Sequence, residues 1–164
     1  MKEINFALLY NESDKQLMKV AEDSLNPKID RVNEIIAFAN EAKFKKIGIA
    51  NCISFEKESA KLEELLVNNG FDVSRVHCKL GRLPNDEILP GYKGIACNPA
   101  GQATFLNENK TELNIVLGLC VGHDMLFNHK SKALTSTLIV KDRKLKHNTF
   151  ALFQEEIKKA TENQ

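Results

Sequence analysis

Four cysteines, Cys52, Cys78, Cys97 and Cys120, are the residues of this chain best equipped for chemistry. Each closes a short apolar run, in the stretches GIANC, SRVHC, GIACNP and GLCVGHD. A cysteine thiolate can ligate a soft metal, attack an electrophile or exchange with a disulfide. Cysteines that serve only as small core hydrophobes should scatter among strand middles and helix faces. These four share one position instead, so a common site is expected. No CxxC pair is present, so the signal lies in the cysteines' shared position and not in a motif.

Other groups fall near the same positions. His123 lies three residues after Cys120, where a base could activate a nucleophilic thiol, and Asp124 could orient that base. Cys52 or Cys97 would then be the resolving thiol. Asn98 and Asp124 are the polar residues placed to meet a cofactor or anion, although Asn98-Pro99 also reads as a helix cap followed by proline at the first helical position. Lys141, Asp142 and Arg143 follow the last strand signal and could receive an anionic substrate, or form an ordinary solvated loop. His77 should point away from the face that Cys78 uses, while His129 and His147 lie in polar stretches that read as solvated. No GxGxxG or Walker-type stretch occurs, so nucleotide binding has no motif behind it.

The elements that would position these residues alternate between helix and strand. Asp30 can cap a helix bearing Val32, Ile35, Ile36 and Ala39. KKIGIANC reads as the first strand, Ser54 as the cap of the next helix, and Asn69-Gly70 as its end. FDVSRVHC, YKGIAC, LNIVLGLC and TSTLIVK read as four further strands. A short helix is expected from about Gly122 to Asn128, and Asn148 can cap a last helix with Phe150, Phe153 and Ile157. Near the start, Phe6–Tyr10 reads as a short extended piece, and Ser13 with Gln16 as a capping box.

Alternation of this kind predicts an α/β fold: a single-domain three-layer sandwich of about five parallel strands, Rossmann-like or flavodoxin-like. The expected strand order is 2-1-3-4-5, with residues 1–28 as an N-terminal extension and 29–164 as the core. Open sheets of this class bind ligands outside the carboxyl ends of their strands. The chain's length of 164 residues suits one core, and its net charge of +1 gives no basic excess for nucleic acid. No stretch resembles a signal peptide or a membrane span. A cytoplasmic protein is therefore expected, with thiols kept reduced.

Geometry ranks the possible ligands. Four neighbouring strands span roughly 14 Å between outer backbones, which is wide for one zinc ion holding its sulfurs at about 2.3 Å. An iron–sulfur cluster, possibly of the 4Fe–4S kind, is a larger body and suits wider spacing. Metal ligation by Cys52, Cys78, Cys97 and Cys120 is the leading expectation, with zinc second and a redox or metal-handling role. The rivals are a metal-free thiol enzyme using Cys120 and His123, and a binding domain with buried, inert cysteines. A small anionic substrate or a redox partner protein is the expected partner.

The stretches KKIGIANC, ACNPAGQATFLN and GLCVGHDMLFNHKSKALTSTLIVKDRKLKHN resemble the DUF1847 family, from about Asp30 to Phe150. Those proteins are uncharacterised, and their label implies metal binding through cysteines. The resemblance matches Cys52, Cys97 and Cys120 to family cysteines. Many members carry a further Cys-rich segment before the first helix; this chain has no cysteine before Cys52.

Overall fold

The structure is a computed structural model that describes residues 4–154. The chain divides into two compact units, Met1–Lys45 and Lys46–Gln164. In the first, helix α1 (Glu12–Ser24) packs against α2 (Arg31–Glu41). Asp30 caps α2 as expected, its carboxylate accepting from the Val32 and Asn33 amides at 3.0 Å each. The capping box of α1 lies two residues before the expected one. Asn11 accepts from the Asp14 amide at 3.0 Å, and Asp14 accepts from the Asn11 amide at 2.9 Å. Ser13 therefore falls inside the helix. Phe6–Leu9 winds into a 3-10 turn capped by Asn5 and is not extended.

The second unit is a single parallel sheet with helices on it. Its strands are β1 (Lys46–Asn51), β2 (Asp72–His77), β3 (Leu113–Leu117) and β4 (Leu134–Ile139), in the order β2-β1-β3-β4. Helix α3 (Glu56–Asn68) joins β1 to β2, and α5 (Pro99–Glu108) precedes β3. α6 (His123–Lys130) joins β3 to β4, and a single turn, α4 (Asn85–Ile88), lies in the loop after β2. The chain steps outward from β1 to β2 and then back past β1 to β3. Right-handed crossovers consequently put α3 and α5 on opposite faces.

β1 and β3 are buried almost throughout, with Ile47, Ile49 and Ile115 fully enclosed, as expected for central parallel strands. Ala50 of β1 and Val76 of β2 share one apolar cluster with Ala103 and Leu106 of α5 and Phe127 of α6. Among the described residues no helix is long and apolar enough to cross a membrane.

The α/β fold is as read from the sequence, with four strands among the described residues rather than five. The expected third strand, YKGIAC, does not join the sheet. Gly94 has φ +85°, a left-handed conformation that breaks an extended run, and Ile95 forms only an isolated antiparallel bridge with Pro84. Without that segment, the expected strand order is the observed one.

Two further boundaries move. α3 begins at Glu56, and Ser54 lies in a 3-10 turn, so its hydroxyl is not the helix cap. β3 stops at Leu117 instead of running to Cys120, because Gly118 turns to φ +62°. At the far end, residues 151–154 are helical and the Ala151 amide bonds the Asn148 carbonyl at 3.1 Å. Ile157 lies outside the described residues.

Candidate functional site

The register of β1 against β2 ends with Asn51 beside His77, so Cys52 and Cys78 are the next pair. The Cys78 amide donates to Asn51 at 2.9 Å, and the Cys52 amide donates to Leu117 at 2.9 Å, carrying the ladder one step past the strands. Adjacent parallel strands are about 4.8 Å apart, which lies inside the Cα range of about 4.4–6.8 Å that a disulfide needs. Both side chains point toward the α5 face and join its apolar cluster. Cys52 is 6% exposed and Cys78 is 2% exposed, whereas Cys97 and Cys120 are half-buried.

The loop after β2 brings in Cys97. The Asn98 amide donates to the Cys78 carbonyl at 2.7 Å, which brings Cys97 beside Cys78, close enough for its sulfur to raise the Cys78 thiol. Three of the four cysteines are thus gathered at the β1–β2 end of the carboxyl edge. Asn98 itself is a cap: its carboxamide oxygen accepts from the Gly101 amide at 2.7 Å, and its nitrogen donates to Leu80 at 3.3 Å.

Cys52 has an environment that an inert core cysteine lacks. Lys141, two residues beyond β4, places its ammonium 2.7 Å from the Cys52 sulfur and 3.3 Å from the Ser54 hydroxyl. Burial alone would push this thiol up. The Lys141 ammonium, together with the Ser54 amide and hydroxyl, outweighs burial and brings it down to about 7. Cys78 behaves in the opposite way. Burial foremost, and then the neighbouring Cys52 and Cys97 sulfurs, push its thiol up to about 12, although the Ile53 amide donates to it at 3.4 Å. Near neutral pH Cys52 is therefore partly thiolate, while the adjacent Cys78 keeps its proton.

Aromatic packing fixes the segment that carries Lys141. Phe55 lies edge to face with the His147 ring at 4.7 Å, and the Lys141 ammonium sits 5.7 Å from the Phe55 centroid. The His147 Nδ1 accepts from the Asp142 amide at 3.1 Å, and the Asp142 carboxylate accepts from the Leu145 amide at 2.9 Å. His147 is thus a packed residue rather than a solvated one. His77 keeps the expected opposite face: its Nδ1 accepts from the Lys79 amide at 3.1 Å.

His77 also lines a shallow cavity of about 290 Å³ with Glu56, Arg75, Val76, Leu80 and Phe105. The guanidinium there is already engaged by Glu56 and by Glu63, the latter at 2.7 Å.

Cys120 is held differently. Its sulfur accepts from the Arg143 guanidinium at 3.5 Å. His123 meets it through the backbone, the His123 and Asp124 amides donating to the Cys120 carbonyl at 2.9 and 3.1 Å. The Asp124 carboxylate accepts from the Met125 amide at 2.7 Å. Cys120, His123 and Asp124 are neighbours at the start of α6, but the sulfur's side-chain partner is Arg143.

Thiols are the right donors for zinc or an iron–sulfur cluster, and three of them are gathered. Among the described residues no group of three or more His, Cys, Asp or Glu side chains is disposed to hold an ion. Two of the four sulfurs face cations, Lys141 and Arg143, where a metal would have to compete.

The roles of Ser54 and Lys141 at Cys52 were not readable from the sequence. Lys141 is 89 residues from Cys52, and no local spacing links the two. The nearest signal was that Lys141 and Arg143 follow a strand end.

The family model described as "Protein of unknown function (DUF1847)" matches residues 2–138. An uncharacterized protein of Methanocaldococcus jannaschii is 43% identical over 159 residues, covering 90% of this chain and 82% of that protein. No solved structure matches. The chain belongs to the DUF1847 family.

Proposed function

We propose that the carboxyl edge carries out thiol–disulfide chemistry, with Cys52 as the attacking thiolate and Cys78 as the resolving thiol. The observation that carries this reading is the Lys141 ammonium at 2.7 Å from the Cys52 sulfur. A cation at that distance holds the thiolate form at neutral pH, and the thiolate is the nucleophile.

The Cys52 thiolate attacks one sulfur of a disulfide. The substrate's S–S bond breaks, and its far sulfur leaves as a thiolate. Cys78 then gives up its proton to the departing sulfur or to solvent, and attacks Cys52 in the mixed disulfide. The second substrate thiolate leaves, and a Cys52–Cys78 disulfide remains. Two electrons pass from the protein thiols to the substrate.

Forming the mixed disulfide removes the Cys52 charge, one of the causes that hold the Cys78 thiol up, so the first step eases the second. The disulfide can be a small molecule or part of a redox partner. The cytoplasm, where such thiols are kept reduced, is the compartment this reading assigns.

Treating the reduced protein with a small disulfide and mapping the products by mass spectrometry tests the assignment. The expected product is a Cys52–Cys78 disulfide, with Cys78→Ser trapping a mixed disulfide on Cys52. Modification of Cys120 with Cys52 untouched would move the chemistry to Cys120 and His123.

A second reading, a cysteine-ligated iron–sulfur cluster with zinc as its alternative, draws support from the gathering of Cys52, Cys78 and Cys97. Iron and sulfide in near-equal amounts in protein purified without oxygen would replace the thiol reading with it.

A further inference from the structure

Resting on the thiol reading above, we infer that Arg143 selects the substrate, and that the disulfide taken by this edge carries an anionic group, a carboxylate or comparable oxyanion, close to the sulfur attacked. The chain as a whole has a net charge of +1, yet the seven residues Lys141–His147 hold four of its cations, Lys141, Arg143, Lys144 and Lys146, against one carboxylate, Asp142. That carboxylate is turned inward to the Leu145 amide. The segment leaves the sheet at the carboxyl end of β4, the edge at which Cys52 and Cys120 lie.

Arg75, in β2, and Arg143, beyond β4, are in contrasting states. Arg75 is clamped between Glu56 and Glu63, so its charge is spent within the fold. Arg143 is exposed, and its guanidinium donates one bond, at 3.5 Å, to the half-buried Cys120 sulfur. Among the described residues it makes no ion pair with a carboxylate. A guanidinium offers five donors in a planar fork that matches a carboxylate or oxyanion in two parallel bonds.

Arg143 stands two residues from Lys141, and two residues span at most about 7 Å. The Arg143 side chain therefore starts from the same short segment that brings Lys141 to the Cys52 sulfur, at the edge where a substrate would be attacked. Lys141 cannot serve the same purpose, because its ammonium is committed to the Cys52 sulfur and the Ser54 hydroxyl.

The experiment compares two disulfides with the reduced protein: dithiobis(nitrobenzoate), which carries carboxylates, and dithiodipyridine, which is neutral. Each rate is followed with wild type, Arg143→Gln and Arg143→Lys. The wild-type preference for the anionic reagent should fall as salt is added, since screening weakens the attraction. In Arg143→Gln the rate at Cys52, resolved by peptide mass spectrometry, should drop about tenfold with the anionic reagent, the effect of one charge-assisted contact, while the Cys52 rate with the neutral reagent stays unchanged. Arg143→Lys should recover part of the loss, keeping the charge without the fork.

The neutral reagent reports in the same sample that the variant is folded and its thiols competent. If both reagents react but Arg143→Gln leaves their ratio unaltered, the selection role is overturned. If neither reagent modifies Cys52 in wild type, the thiol reading itself is overturned.

Discussion

Lys141 is the residue that separates Cys52 from an ordinary core cysteine, and its effect can be read kinetically. A thiol brought down to about 7 is half ionised at neutral pH. Alkylation of Cys52 by iodoacetamide should therefore rise through pH 7 and level off by about pH 8, whereas an ordinary thiol keeps gaining reactivity beyond about 8.5. Lys141→Met removes the ammonium and leaves the burial, which acts in the opposite direction. The midpoint should then climb above that of a free cysteine, and the rate at pH 7 should fall by more than about tenfold. Rates measured by peptide mass spectrometry across pH check this. A midpoint still near 7 in the variant would show that Ser54 or the backbone, not Lys141, controls the thiolate. Cys78 marks the limit of exposure as a guide: it is as enclosed as any core residue, and it is its place beside Cys52 that gives it a role.

At the scale of elements, the site depends on how strands stop. β1 and β2 end in register, so the residues just past them become a thiol pair. β3 stops at Leu117 because Gly118 takes a left-handed turn, and this gives the chain room for Phe55. A Cβ built on Gly118 would lie 2.0 Å from the Phe55 ring. Gly118→Ala thus meets two costs, the left-handed backbone and the displaced ring, together about 3 kcal/mol. Urea unfolding should show that loss. Because Phe55 also carries His147 and lies under Lys141, the variant should raise the Cys52 midpoint even where it remains folded. A loss below about 1 kcal/mol would mean that the ring moves aside freely. The same physics explains why YKGIAC failed as a strand: Gly94, at φ +85°, bends the chain out of the extended region.

Over the whole molecule, stability is graded across the sheet. β1 and β3 are covered on both faces, while β4 is an edge strand whose residues are exposed or half-buried. The segment bearing Lys141 and Arg143 hangs from that less protected strand. Amide hydrogen exchange should be slowest at Ile47, Ile49 and Ile115, faster along β4, and faster again from Lys141 to His147. Such a gradient would leave the cations free to adjust around a substrate without loosening the strands that hold Cys52 and Cys78. Equal protection of β4 and β1 would contradict that division.

The sequence by itself determined the alternation of helices and strands, the parallel sheet, and the placing of Cys52 and Cys78 just after strands. These are local matters: apolar runs, caps such as Asp30 and Asn98, and the short reach of backbone hydrogen bonding. It also pointed to Lys141 and Arg143 as residues following a strand. Only the tertiary structure decided which sulfur meets which cation. Lys141 reaches Cys52 across 89 residues of chain, and Arg143, rather than the nearby His123, is the side chain that faces the Cys120 sulfur. Strand order and the left-handed turn at Gly118 set those pairings. A thiol's acidity depends on the charges packed around it after folding, and residue spacing along the chain does not encode that distance.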